Sequence, residues 1–365
     1  VNDNDNDNDN KSWKGRCMLN KTRVTIKQVA KAAGVSTQTV SRVINDHPDV
    51  APNTRKRIHD IIDQLGYQPS ALARSLIKQR SYTLGVVSAG LKYIGPSRTL
   101  NGIAEEAEEQ GYALLLKELK SFTITDLDPI RKLLISRQVD GILWAVPEIG
   151  SNRAWIQDSL AKFTVPMIFL TMQAQEGINT VSVDNLQGGM LAVQHLLDQG
   201  YQHIGHLSGP MEWWEARQRK MGWEAVMSES GGEISARCCV EGNWSSSSGE
   251  KAFQQLRESY PEMDAVFVAN DQMALSVLQI ACRLGLSVPN QLGVVGFDGI
   301  AESAYFWPPL TTVNQDQAEL GKTAIQELTH IIELSHQAEY EPVYKNILLA
   351  PSLIVRESSV LTNPI

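Results

Sequence analysis

Three residues early in the chain, Thr37, Gln38 and Arg42, are spaced to share one face of a short helix. Glutamine can pair bidentately with adenine and arginine with guanine, and threonine can bond a base edge or touch a thymine methyl. Ser36, Thr39, Ser41 and Asn45 beside them, and Thr25 one helix earlier, can bond phosphates and fix the register. The charge agrees with this reading. From Lys21 to Arg80 there are 11 Lys and Arg against 4 Asp and Glu, a balance of +7 in a chain of net charge -8. The rest therefore stands at -15, a basic module on an acidic body, as expected of a DNA-binding headpiece on a soluble sensor. A plain three-helix bundle with a polar face is the alternative, and turn, caps, spacing and charge together weigh against it.

The elements that position these side chains are legible from local signals. Thr25 to Gln28 reads as a capping box, followed by Val29, Ala30 and Ala33 on one face. Gly34 allows a tight turn. Ser36 can cap the next helix, Thr37 to Asn45, with Val40, Val43 and Ile44 inward. Pro52 suits the first turn of a third helix and Gly66 its C-terminal end, with Ile58, Ile61, Ile62 and Leu65 as the apolar stripe. Residues 70–77 could form a helix that folds only on DNA, with Leu76 as a minor-groove wedge beside Ala73; an ordinary linker is the equal alternative.

From Tyr82 onward the texture changes. Apolar runs at 82–87, 113–116, 141–146, 167–170, 181–183, 204–207, 265–268 and 294–297 alternate with helical patterns at 101–110, 186–199, 219–230, 249–258 and 271–284. That alternation predicts a doubly wound α/β fold, and its length predicts two lobes. Asn270 and Asp298 each follow an apolar run, which places them at a cleft rim. Asp271 reads as a helix cap.

The run Val24-Thr-Ile-Lys-Gln-Val-Ala-Lys-Ala-Ala-Gly-Val-Ser-Thr-Gln-Thr-Val-Ser-Arg-Val-Ile-Asn45 resembles the headpiece of the LacI/GalR family of transcriptional regulators. Pro69-Ser-Ala-Leu-Ala-Arg-Ser-Leu76, Val268-Ala-Asn-Asp-Gln-Met-Ala274, Val294-Val-Gly-Phe-Asp298 and Pro308-Pro-Leu-Thr-Thr312 are similar to family motifs in the same order. The resemblance implies a two-lobed, periplasmic-binding-protein-like core: an N-lobe over 82–183 returning near 315–344, and a C-lobe over 184–314 returning near 349–357. It also implies a dimer on operator DNA, with a small sugar effector bound between the lobes. Arg219, Asn270 and Asp298 would then clamp the sugar and Trp244 would stack on it, with Gln315 reaching in from a crossover. Tyr93 and Pro96 stand where the family's apolar wall would be, and Glu148 lies near the place of a sugar-binding carboxylate. Trp213 and Trp214 are additional aromatics. They suit a larger sugar such as an oligosaccharide, or else fill the lobe interior.

The expected organisation is a disordered tail over 1–20, a helix-turn-helix domain over 21–68, a hinge helix and linker over 69–81, a two-lobed effector-binding and dimerisation domain over 82–358, and a tail over 359–365. No C-terminal heptads follow, so a homodimer is expected rather than a tetramer. The four cysteines, Cys17, Cys238, Cys239 and Cys282, have no zinc spacing and suit a reducing cytoplasm. No apolar run approaches a membrane span, and the N-terminus has no apolar signal core. No cofactor or metal motif is present, and no catalytic one, so an enzyme is not expected. A purine or other non-sugar corepressor on the same fold is the alternative effector, and a sugar-binding transport component is the alternative class.

Overall fold

The computed structural model describes residues 24–67, 80–122, 126–149, 152, 156, 160–337 and 339–361. They fall into two compact units divided between Ser81 and Tyr82. The tail over 1–20 and the expected hinge helix over 70–77, with Ala73 and Leu76, lie outside the described residues.

In the first unit, three helices follow the sequence signals: α1 (Ile26–Ala33), α2 (Thr37–Ile44) and α3 (Pro52–Leu65). Gln28 reaches back to accept the Thr25 N–H at 2.8 Å. Gly34, at φ +64°, turns the chain out of α1 in the left-handed region that glycine tolerates. Ser36 Oγ accepts the Thr39 N–H at 3.0 Å and caps α2. Val29, Ala30, Ala33, Val40, Val43 and Ile58 form the buried centre. Each branched side chain buried there is worth about 1.5–3 kcal/mol, a large share of so small a core.

The second unit holds two six-stranded sheets among the described residues. The first runs in the order β11-β5-β4-β3-β1-β2, from β1 (Thr83–Ala89), β2 (Ala113–Leu119), β3 (Gly141–Ala145), β4 (Met167–Leu170), β5 (Asn179–Val183) and β11 (Asn346–Leu349). Every pairing in it is parallel. The second runs β12-β10-β9-β8-β6-β7, from β6 (Ile204–Ser208), β7 (Cys239–Glu241), β8 (Ala265–Val268), β9 (Gly293–Asp298), β10 (Thr311–Asn314) and β12 (Ser352–Ile354). Only its edge pair, β10 with β12, is antiparallel. Strands β4, β5, β6 and β8 are buried along their whole length, as parallel strands covered on both faces must be.

The chain passes between the sheets after Val183, after Asn314 and after Leu349. Leu349, expected at the start of the last C-lobe segment, instead ends β11 and pairs with Val183 of the first sheet. The expected tail boundary at 359 also shifts. Ser359 is fully buried, and its hydroxyl donates to Thr311 Oγ1 at 2.6 Å.

Candidate nucleic-acid interface and effector cleft

Helix α2 turns Val40 and Val43 into the headpiece core and leaves Thr37, Gln38 and Arg42 exposed together. Of the expected phosphate contacts, Thr25 and Ser36 are exposed, while Thr39, Ser41 and Asn45 are half-buried. The Asn45 amide donates to the Ser41 carbonyl at 2.8 Å and so closes the end of α2.

Between the two sheets of the second unit lies a cleft of about 900 Å³, open mouth included. Its walls come from α4 (Ile94–Glu109) and strand ends of the first sheet, and from α7 (Trp214–Glu229), α9 (Asp271–Arg283) and strand ends of the second. Seven expected residues line it: Tyr93, Pro96, Arg219, Trp244, Asn270, Asp298 and Gln315. Arg219 is 4% exposed. Its Nε donates to Asn185 Oδ1 at 2.8 Å, and Nη1 donates to the Ala269 carbonyl and lies 3.4 Å from Asp298 Oδ1. The guanidinium sits 3.8 Å from the Phe297 ring centroid and 5.4 Å from that of Trp244. Gln315 Nε2 donates to Asp298 Oδ1 at 2.6 Å, so one carboxylate oxygen gathers both partners. Asp298 (φ +110°) and Trp244 (φ +71°) both occupy backbone that non-glycine residues rarely adopt, a strain that concentrates at functional sites. Gly209 leaves room for the Trp244 ring, which a Cβ there would approach to 2.1 Å.

Two expectations change. Glu148 does not line the cleft. Its carboxylate accepts the Gln173 N–H at 3.0 Å and lies 3.6 Å from Arg217, and its carbonyl accepts the Trp214 N–H at 3.2 Å. With the bridge between Ile149 and Trp213, it straps the first lobe to the start of α7. The acid that lines the cleft beside Asp298 is instead Glu215, one turn before Arg219 on the same helix. Asn270 rather than Asp271 caps α9: its Oδ1 accepts the Met273 N–H at 3.0 Å, and its Nδ2 donates to the Trp244 carbonyl at 3.0 Å. Asp271 points away, accepting from Thr312 Oγ1 at 2.6 Å and the Ile300 N–H at 2.9 Å. Of the paired tryptophans, Trp213 lines the cleft and Trp214 is buried outside its lining. Gln272, within the motif over 268–274, also lines it, as do Ser88, Thr99, Thr171 and Gln317, which no pattern in the sequence marked.

Burial dominates the electrostatics. It pushes Asp271 up to about 8, helped by the charge of Asp298, and Glu215 up to about 7. It raises Asp298 to about 6 against the opposing pull of Arg219 and Gln315. The folded core thus holds these protons more tightly than the unfolded chain does. Their contribution to stability is full below pH about 4 and is lost as pH rises through 6 to 8. Thermal melts should therefore show Tm falling from pH 5.5 to 8, by roughly 2–4 °C for each kcal/mol lost. Asp271→Asn should flatten that fall, because an amide can accept from Ile300 and donate to Thr312 without ionising. An unchanged pH slope in the variant would refute the assignment.

Among the described residues no helix is long and apolar enough to cross a membrane, and no His, Cys, Asp and Glu cluster could hold a metal ion.

Residues 25–70 match the model for bacterial regulatory proteins of the lacI family, and residues 193–359 match the periplasmic binding protein-like domain. The chain is 33% identical to catabolite control protein A of Priestia megaterium, over 87% of this chain and 98% of that one. It is also 33% identical to the HTH-type transcriptional repressor PurR of Photobacterium profundum, over 92% and 98%. The lac repressor dimer bound to operator and the anti-inducer ONPF superposes with a TM-score of 0.80 at 31% identity, over 93% of this chain and all of that one. The complex of the transcriptional regulator CelR with cellobiose gives 0.66 at 28% identity, over 92% and 100%.

Proposed function

Because the chain belongs to the lacI family of bacterial regulatory proteins and is a DNA-binding transcriptional repressor, we propose that a small sugar, a galactoside or other glycoside, acts as its inducer from the cleft. The observation that carries this reading is the clamp of buried Arg219 and Gln315 on half-buried Asp298, lining one cleft with Trp213 and Trp244. Sugars offer hydroxyls in fixed directions and an apolar ring face, and such a site answers both needs. The sugar-bound relative with the same fold supports it.

The protein acts as a homodimer in the cytoplasm. Thr37, Gln38 and Arg42 read base edges, while Thr25, Ser36, Thr39, Ser41 and Asn45 hold phosphates. Ala73 and Leu76 belong to the hinge contact with the minor groove. Operator and sugar favour different states of the dimer, and the sugar releases operator only through its differential affinity for the two. Trp213, an added aromatic in the cleft lining, favours a disaccharide. The identity to PurR supports a second reading, a purine corepressor in the same cleft, which would tighten operator binding.

Calorimetric titration of the whole chain with lactose, cellobiose, methyl galactoside, guanine and hypoxanthine tests the assignment. Saturable binding of a saccharide, with none of the purines, is the expected result. Binding of a purine alone would overturn it.

A further inference from the structure

Glu215 is 9% exposed and lines the cleft, yet its Oε2 is buried without a hydrogen-bond partner. Leaving a buried carboxylate oxygen unmatched is costly, and folded chains keep few such groups. The nearby cations do not answer it. Arg219 gives its Nε and Nη1 donors to Asn185, Ala269 and Asp298 and makes no hydrogen bond to Glu215. Arg217 pairs with Glu148 and donates to the Met211 and Glu212 carbonyls. Among the described residues, the charged ones lining the cleft are two acids, Glu215 and Asp298, and one cation, Arg219.

We propose that Glu215 is a specificity-determining residue that accepts a hydrogen bond from a hydroxyl or amino group of the effector and rejects saccharides carrying a carboxylate or phosphate there. This rests on the sugar reading above and sharpens it, since the effector class becomes neutral or amino saccharides. Three features support the assignment. The position, in the first turn of α7, suits an acid because the helix dipole favours negative charge there. Burial raises the group to about 7, so a donor that meets it relieves a standing penalty. Trp213, two residues before Glu215, lines the same cleft and packs edge-on against Trp244 at 5.7 Å, so an apolar ring surface lies in the cleft that the unmatched oxygen borders.

The test compares wild type with Glu215→Gln and Glu215→Met. Calorimetry would use lactose, cellobiose, and the galactose and glucose series as parent, 2-amino, uronate and 6-phosphate sugars. A cooperative melt checks that each variant folds, and Glu215→Gln keeps volume and polarity if the methionine variant does not. Wild type should bind neutral or amino sugars and not the uronates or phosphates. Glu215→Met should weaken the neutral ligand by about 10–100-fold, the range for a hydrogen bond to a charged group. Glu215→Gln should weaken it less and narrow the gap to the anionic sugars. If wild type binds a neutral sugar and both variants bind it equally well, or if wild type prefers an anionic sugar, this assignment is overturned while the sugar reading stands. If no saccharide binds wild type, the sugar reading itself falls and takes this with it.

Discussion

Arg219→Lys should bind operator normally and fail to release it at sugar concentrations that empty the wild-type complex. The guanidinium is a fork with five donors. Its Nε and Nη1 donors are spent on Asn185, Ala269 and Asp298, which leaves the Nη2 pair for the effector. The plane also stacks against Phe297, 3.8 Å to the ring centroid. Lysine supplies a point charge with three donors and no plane, so it can hold Asp298 or the sugar but not both with the same geometry. Losing two charge-assisted bonds at a buried site predicts an effector affinity lower by at least ~100-fold. Calorimetry of the variant with the inducing sugar reads this directly. An affinity within a few-fold of wild type would remove Arg219 from the clamp.

The second large effect is structural. Helices α6 (Asn185–Asp198) and α7 cross at Gly189 and Gly222. A Cβ on Gly222 would stand 2.4 Å from the Leu186 carbonyl oxygen and 2.8 Å from the Met190 nitrogen. These are backbone atoms, so no side chain can swing aside. Gly222→Val must push the helices apart, and α7 carries both Arg219 and Glu215. We expect a loss of about 3 kcal/mol or more, at the upper end for an overpacked core, which lowers Tm by roughly 6–12 °C. Effector binding should fail in the same variant. Met221→Ala, at an exposed neighbouring position, should change Tm little. A Gly222→Val protein melting with wild type would contradict the packing described.

These two sites differ in how far the sequence exposed them. The headpiece was legible down to its caps because its signals are local: Thr25 with Gln28, Gly34, Ser36, Pro52 and Gly66 each act within one turn. The long apolar strands were legible for the same reason. Strands β7, β11 and β12 were not, being partly exposed edge strands without a continuous apolar run, and neither was β10, which is half threonine. Helix α10 (Gln317–Ser335) also escaped the pattern reading, although its buried face packs across β3. The clamp residues came from motif resemblance, not from periodicity. The exchange of Glu148 for Glu215 could not be seen, because it depends on the strap between Ile149 and Trp213, residues far apart in the chain. Asn270 and Asp271 are both good caps, and only the backbone turn at 270 decides between them.

The proposed control of operator affinity by sugar in the cleft is tested most directly by a fluorescence-anisotropy titration of the full chain on a labelled palindromic operator, at fixed salt, with and without the sugar identified by calorimetry. The account predicts operator binding weakened about 5–150-fold by saturating sugar, the usual range of allosteric coupling, with no such loss in Arg219→Lys. Operator affinity unchanged by a sugar that demonstrably occupies the cleft would contradict it.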